Sequence, residues 1–457
     1  MEDLKNELIK FRKIFEKELL DDILAYWLKY SVDKKENGFY GAVDLNNELI
    51  KFREIFEKEL HDDILAYWIK YSIDKQENGF YGAVDLNNKP VLTANRSCVL
   101  NARILWTFSA SAISYNNSRY LKMADYAYNN LQTHFEDHEH GGYFMELKPD
   151  NSIAVDIKHT YAQAFVIYAL CKYFELNSSS EVLGIIEKFF HLLEAKTKDK
   201  IGYFEAFTRD WKLYEENRMA DNNEPKSMNT HLHVMEAYAA LYKIWKVENV
   251  KDRLKEILNL FIEKIIRSSG HLGIFFDDNF IEADSSKGIC SFGHDIEASW
   301  LLLEAAEILG DEAIIKKMKS LSIKMAAAVE RSGVDKDGGL FLESTKFGSH
   351  IRTNKHWWLQ AENLVGFMNA YQLTGDLKYW EIVKSAWHFI NEHVIDHEKG
   401  EWFTKVNRFG LPYLEEPAGD PSPYYRNDWK IDPWKCPYHN GRAMMELIKR
   451  INILLQK

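Results

Sequence analysis

A glycine followed closely by aromatic residues recurs along this chain, and its spacing constrains the fold more than any other feature. The motif reads NGFYGAVD from residue 78, HGGYFMEL from 140, IGYFEAF from 201, LGIFFDD from 272, GGLFLES from 338 and GEWFTKV from 400. The intervals run from about 60 to about 70 residues, the signature of one structural unit repeated in an array. Each motif reads as a turn followed by a short strand. Between successive motifs lie two segments with apolar residues at i, i+3, i+4 and i+7, such as VLNARILWTFSASAI and YLKMADYAYNNLQTHF. Each interval is therefore a helical hairpin plus a β excursion. One helix before the first motif, about 49–72, and one after the last, about 438–455, bring the total to twelve. The prediction is an all-α chain, an (α/α)6 toroid of six inner and six outer helices with short β-hairpin excursions. An open solenoid would want polar capping repeats, whereas the last helix, MMELIKRINILL, is strongly apolar.

One stretch breaks the period. Residues 8–48 are repeated by residues 49–89 with 35 of 41 positions identical. An interval of that length holds one helix and one strand motif, not a hairpin. The second copy runs directly into the rest of the repeat. The expected division is thus a surplus half-unit, 1–48, outside the ring, and a barrel of 49–457.

Composition narrows the function classes. The net charge is −11 and no Lys/Arg block stands out, which argues against a nucleic-acid surface. No run of 18 apolar residues exists, so no membrane span is expected. The N-terminal MEDLKNELIKFRKIF lacks the apolar core of a signal peptide. Cys98, Cys171, Cys290 and Cys436 are widely spaced with no zinc pattern, so free thiols and a cytoplasmic location are expected.

In a toroid the helices that follow the strand excursions are the inner ones, and their first turns share one end. These helices are expected to begin near 95, 158, 229, 294, 356 and 437. Arg96, His159, His233, His294, Trp357 and His439 all fall at such starts. The segments HVME (233–236) and HDIE (294–297) place an imidazole and a carboxylate on one helical face. There Glu236 and Glu297 can orient His233 and His294 by accepting from one ring nitrogen. His231, two residues from His233, cannot share that face. The same groups could bind a metal, but H-E-x-x-H is absent and orienting carboxylates explain the pattern; no metal is expected. Arg96 opposes the helix dipole, and a structural salt bridge competes evenly with a ligand contact. Trp357, Trp358 and Trp434 suit either sugar stacking or packing. Asp221 and Asn229 suit helix capping, and Cys436 reads as structural.

The segments KSMNTHLHVMEAYAALYKIW, GHDIEASWLLLEAAEIL and WKCPYHNGRAMMEL resemble the cellobiose 2-epimerase family, within the N-acylglucosamine 2-epimerase superfamily; ARILWTFSA and KHTYAQAFVIYAL resemble it too. The resemblance covers about residues 49–457. It implies an isomerase with an (α/α)6 barrel that converts reducing-end glucose to mannose in β-1,4-linked disaccharides without a cofactor. It implies His294 and His439 as paired acid/base catalysts, His233 as a third essential histidine, and Glu236 and Glu297 in support. Arg96, Tyr161, Asp221, Asn229, Trp357 and Trp434 match its sugar-binding positions. A monomer with a small sugar substrate is the expectation. The leading 41-residue copy departs from the family pattern. So does the long segment 415–433, which keeps epimerisation or aldose–ketose isomerisation of free mannose and glucose open as an alternative.

The chemistry agrees with the residue types. Epimerisation at C2 opens the ring, removes the C2 proton to give a cis-enediolate and returns a proton to the other face. Two bases on opposite walls serve this best. Ring opening is assigned to His439, and Arg96 to the charge developing on the enediolate oxygens. A glycoside hydrolase would need two carboxylic acids across the bond, and a non-catalytic sugar-binding toroid would not need three histidines.

Overall fold

The computed structural model describes residues 45–214, 223–415 and 426–456, together with the backbone pairing of Val32–Asp33 with Gly38–Phe39. The chain divides into two compact units, residues 1–57 with 448–457, and residues 58–447. In the smaller unit, helix α1 (Leu45–Lys58) buries Leu49 and Phe56, and Arg53 donates to Asn452 Oδ1 at 3.1 Å.

The larger unit carries the repeat. A π-helical stretch, Glu59–Leu65, leads into α2 (Ala66–Tyr71). Helical hairpins follow: α3 (Cys98–Tyr115) with α4 (Ser118–Asn130), α5 (Thr160–Asn177) with α6 (Ser180–Lys196), and α7 (Met228–Ile244) with α8 (Glu248–Leu260). Then come α9 (Phe292–Leu309) with α10 (Glu312–Ser332), α11 (Trp357–Thr374) with α12 (Leu377–Phe389), and the last inner helix α13 (Tyr438–Leu455). The inner helices α3, α5, α7, α9 and α11 pack each on the next. They are buried on nearly every side, as helices walled in by neighbours must be. The outer helices α4 and α8 bury one stripe only. All six inner helices begin within three residues of the positions expected from the sequence.

Short strands fasten the rim. Each inner helix is entered from a strand that pairs antiparallel with the next excursion. Arg96–Ser97 pairs with Glu146–Leu147, Lys158–His159 with Ala206–Phe207, and Lys226–Ser227 with Phe275–Phe276. Cys290–Ser291 pairs with Glu343–Thr345, and Lys355–His356 with Lys405–Val406. Trp429–Ile431, before α13, pairs with Val84–Asp85, so the last excursion meets the first and the ring closes.

A buried ion pair repeats with the strands. Arg96 meets Asp74 at 2.6 Å, Lys158 meets Asp137 at 2.9 Å, Lys226 meets Asp199 at 2.7 Å, Lys355 meets Asp335 at 3.0 Å and Lys430 meets Asp396 at 2.9 Å. The recurring glycine has a local cause. Gly202 sits at φ +78°, and a Cβ there would lie 2.3 Å from Nε2 of His231. Only glycine tolerates both the left-handed backbone and that approach.

Candidate functional site

On α5, α7, α9 and α11 the fourth residue faces the preceding hairpin. Gln163 brackets the backbone of Tyr143, accepting from its N–H at 2.9 Å and donating to its carbonyl at 2.8 Å; Gln360 does the same for Leu340. Asp295 accepts from Leu272 N–H at 2.8 Å. His231 belongs to this set. Its Nε2 accepts from Tyr203 N–H at 2.9 Å and its Nδ1–H donates to the Ser227 carbonyl at 2.7 Å. Both ring nitrogens are satisfied, and burial pushes its pKa down to about 4. His231 is a neutral structural histidine.

The sixth residue faces inward: Arg103, Phe165, His233, Glu297 and Glu362 hold that place on α3, α5, α7, α9 and α11. Arg442 of α13 joins them. Its Nη1 donates to Glu236 at 2.6 Å, and its Nη2 to Glu297 at 2.9 Å and Glu362 at 2.6 Å. Tyr438 OH also donates to Glu236, at 2.7 Å. One guanidinium thus gathers three buried carboxylates from three helices. Their pKa values are driven apart. Burial and the neighbouring Glu362 carboxylate push Glu297 up, against Arg442. Burial would raise Glu362 too, but Arg442 and His439 hold it well below the usual range. The two carboxyls are thus pushed in opposite directions, Glu297 toward keeping a proton and Glu362 toward ionisation. Glu297, Glu362 and His439 offer ligand atoms within 4.8 Å of one another. That donor set does not fit a resident metal, because Arg442 already lies against both carboxylates.

Three histidines, His233 among them, meet at this site, each tied back through Nδ1. His233 Nδ1 lies 3.0 Å from Glu236 Oε2, His439 Nδ1 lies 2.7 Å from Glu362 Oε1, and His294 Nδ1 lies 2.7 Å from Ser291 Oγ. A carboxylate only accepts, so His233 and His439 carry their proton on Nδ1 and present the Nε2 lone pair. Trp358 stands between the other two rings, with centroid distances of 4.8 Å to His294 and 5.6 Å to His439. Burial pushes His294 and His439 each to about 3, in the case of His439 against the pull of Glu362. Burial also lowers His233, against Glu236.

The expected residues fall as follows. His233, His294 and His439 come together. Glu236 orients His233 as its spacing predicts, but Glu297 does not bond His294; it lies on Arg442, and Ser291 takes its place. Tyr161 is at the site, with its hydroxyl accepting from Arg103 at 2.7 Å and its ring edge-on to His233 and Trp434. Trp434 is held by Asp432, which accepts from its N–H at 2.7 Å. Asn229 is the second residue of α7 and does not cap it, since Ser227 Oγ accepts from Thr230 N–H; the Asn229 Oδ1 is buried without a hydrogen-bond partner. Arg96 is corrected to a structural role, since its guanidinium is engaged by Asp74 and by Asn151 at 2.9 Å. Arg103 is the arginine of the wall; it donates to Trp434 O at 3.2 Å and stacks 4.2 Å from the Phe165 ring centroid. Trp357 is corrected as well: it is 2 % exposed, whereas its neighbour Trp358 lies between the histidines. Asp221 lies outside the described residues.

Sequence reasoning missed Arg103, Glu362, Arg442 and Ser291. The first three had a signal. Arg103 and Glu362 are each the one charge of an otherwise uncharged helix, and Arg442 lies in the buried first turns of α13, positions that only a buried partner makes tolerable. Ser291 is an ordinary hydroxyl before a helix and had none. A separate cleft of about 640 Å³, lined by Arg267, His271, Cys290, Arg331 and Phe347 among others, does not include the three histidines.

Comparison with known proteins places the chain in a family. Residues 79–426 match the N-acylglucosamine 2-epimerase (GlcNAc 2-epimerase) family. The chain is 37% identical to a cellobiose 2-epimerase of Bacteroides fragilis, with 95% of this chain and 97% of that protein aligned. It is 37% identical to a cellobiose 2-epimerase of Ruminococcus albus, over 78% of this chain and 88% of that one. The structure of cellobiose 2-epimerase from Bacillus thermoamylovorans superposes with a TM-score of 0.80 at 34% identity, covering 88% of this chain and 100% of that one. Among the described residues no helix is long and apolar enough to cross a membrane. The chain belongs to the N-acylglucosamine 2-epimerase family, with cellobiose 2-epimerases among its relatives, and is a sugar 2-epimerase.

Proposed function

We propose that the enzyme acts on the reducing-end glucose of β-1,4-linked disaccharides such as cellobiose, with His294 and His439 as the two bases. The observation that carries this reading is their arrangement. Each ring is tied back through Nδ1, and the two flank Trp358. This leaves Nε2 of each for a sugar lying on the indole face. One Nε2 removes the C2 proton; the other, having first taken up a proton from solvent, returns it to the opposite face of the planar enediolate, and the first then gives its proton to solvent, which restores the pair. Their partners make them unequal. His439 is backed by an ionised carboxylate and is the better holder of a positive charge, the more so once the enediolate forms. His294, backed by a hydroxyl, is the better neutral base. His439 also assists ring opening.

Arg103 stabilises the enediolate oxygens, the role sequence reasoning assigned to Arg96. Tyr161, Asn229 and Trp434 contact the sugar, His233 holds its orientation through Glu236, and Asp221 is retained as a sugar contact from the family resemblance. The disaccharide assignment rests on the names of the relatives that match over most of their length. No metal or cofactor takes part. The enzyme works as a monomer in the cytoplasm, where the buried thiols Cys98, Cys171 and Cys436 stay reduced. Proton NMR of cellobiose with enzyme in D2O tests the reading. Deuterium at C2 with glucosylmannose as product is expected. Unchanged cellobiose beside turnover of free glucose or mannose would reject the disaccharide assignment.

A further inference from the structure

The place of the first outer helix is fixed by a small set of contacts. Glu59 accepts from Trp402 Nε1 at 2.7 Å, and Asp63 accepts from Glu401 N–H at 2.8 Å. Asp74 pairs with Arg96 at 2.6 Å, and Tyr126 OH donates to the carbonyls of Asp74 and Gly79. Leu60, Ile64, Leu65, Trp68, Phe80 and Val84 are buried, and Val84–Asp85 pairs with the strand before α13. This place supports the site, because Glu401 pairs with Lys435 and accepts from Asn440, one residue on either side of the segment that carries His439 and Cys436.

Every residue that segment 59–85 contributes to these contacts occurs twice. Forty-one positions earlier stand Glu18, Asp22, Asp33, Gly38, Leu19, Ile23, Leu24, Trp27, Phe39, Val43 and Asp44. The earlier hairpin even pairs in the same register: Val32 faces Phe39 and Asp33 faces Gly38, as Ile73 faces Phe80 and Asp74 faces Gly79. The six differences avoid the buried positions. Glu54, His61, Ile69, Ile73, Gln76 and Lys89 are all at least partly exposed.

We propose that this place is a docking site for either copy, and that the chain's own residues 18–44 fill it in exchange for residues 59–85. The displaced copy then becomes an insertion of 41 residues before Pro90, and the closure cost of such a loop grows only with the logarithm of its length. One contact favours the second copy. His61 Nδ1 lies 2.8 Å from Tyr120 OH and its ring is edge-on to Tyr115, whereas the first copy has Leu20.

The test uses the full chain with Trp68→Asp, Trp27→Asp and both together, reading epimerase activity, mass in solution and hydrogen exchange. An aspartate at Trp68, 0 % exposed, is incompatible with filling the site. Trp68→Asp is expected to stay monomeric and keep activity within about tenfold of the parent, with residues 59–71 becoming fast-exchanging and 18–30 becoming protected. The double variant is expected to lose activity by more than about 100-fold. The proposal is overturned if Trp68→Asp is as inactive as the double variant. It is also overturned if residues 59–71 stay protected in that variant, or if its activity runs only with a dimer.

Discussion

At the scale of single residues, the site separates groups that titrate from groups that hold them. Replacing His294 or His439 by alanine should cost about 10²–10⁴-fold in kcat, with circular dichroism unchanged; activity near that of the parent in either variant refutes the two-base scheme. Because burial holds both imidazoles near 3, the acid limb of kcat/KM should lie well below the ordinary histidine value of 6.5. Arg96 and Arg103 separate in the same way. Arg103→Ala should lower kcat/KM sharply. Arg96→Ala should instead lower the unfolding free energy measured in urea by about 3–5 kcal/mol, because Asp74 is left buried without its partner. His231 makes a stability prediction with a definite sign. Folded, it titrates at about 4; its ordinary value is 6.5. Its contribution is complete above about pH 6.5 and drains as the pH falls toward 4, by ~3 kcal/mol. His231→Asn should therefore be less stable than the parent at pH 7.5, and the gap in urea stability should narrow on acidification. A gap that is constant with pH would mean His231 is not held neutral.

At the scale of elements, an inner helix works as a two-faced strip. Its fourth residue secures the preceding hairpin and its sixth faces the cavity, a spacing that swings the side chains well apart around the helix. The glycine of the hairpin completes the lock. Gly202→Ala should cost at least about 1 kcal/mol from the left-handed backbone alone, and more from the contact with His231, read as a lower melting temperature. A change at Gly184 meets nothing within 4 Å and serves as the control. The strand-entry ion pairs act alongside. They bring no catalytic group, but they anchor the strands that lead into five of the six inner helices, α9 being entered from Cys290–Ser291 without one.

At the scale of the whole molecule, the repeat and the duplication are properties of the entire chain. Deleting residues 2–42 leaves one complete copy and should give an active monomer at least as stable as the parent. An insoluble or inactive product would mean that the first copy is integral to the barrel. Period, fold class and the rim bearing the three histidines were legible in the sequence. Periodicity follows from burial, and burial is written in every repeat by the same apolar spacing and the same glycine. The choice of His233 over His231 was legible as well, because helix geometry alone separates i from i+2. Four features needed the fold: Arg103 in place of Arg96, Trp358 in place of Trp357, Ser291 in place of Glu297, and the Arg442 hub. Arg103 and Trp358 are choices between like residues near one helix start, Ser291 is a local partner of His294 on the opposite side from Glu297 in sequence, and the hub is a pairing across helices up to about 200 residues apart, as Arg442 is from Glu236. Spacing along one helix determines which side chains share a face. Which partner waits on that face is decided by the other five helices, and only the closed ring brings them together.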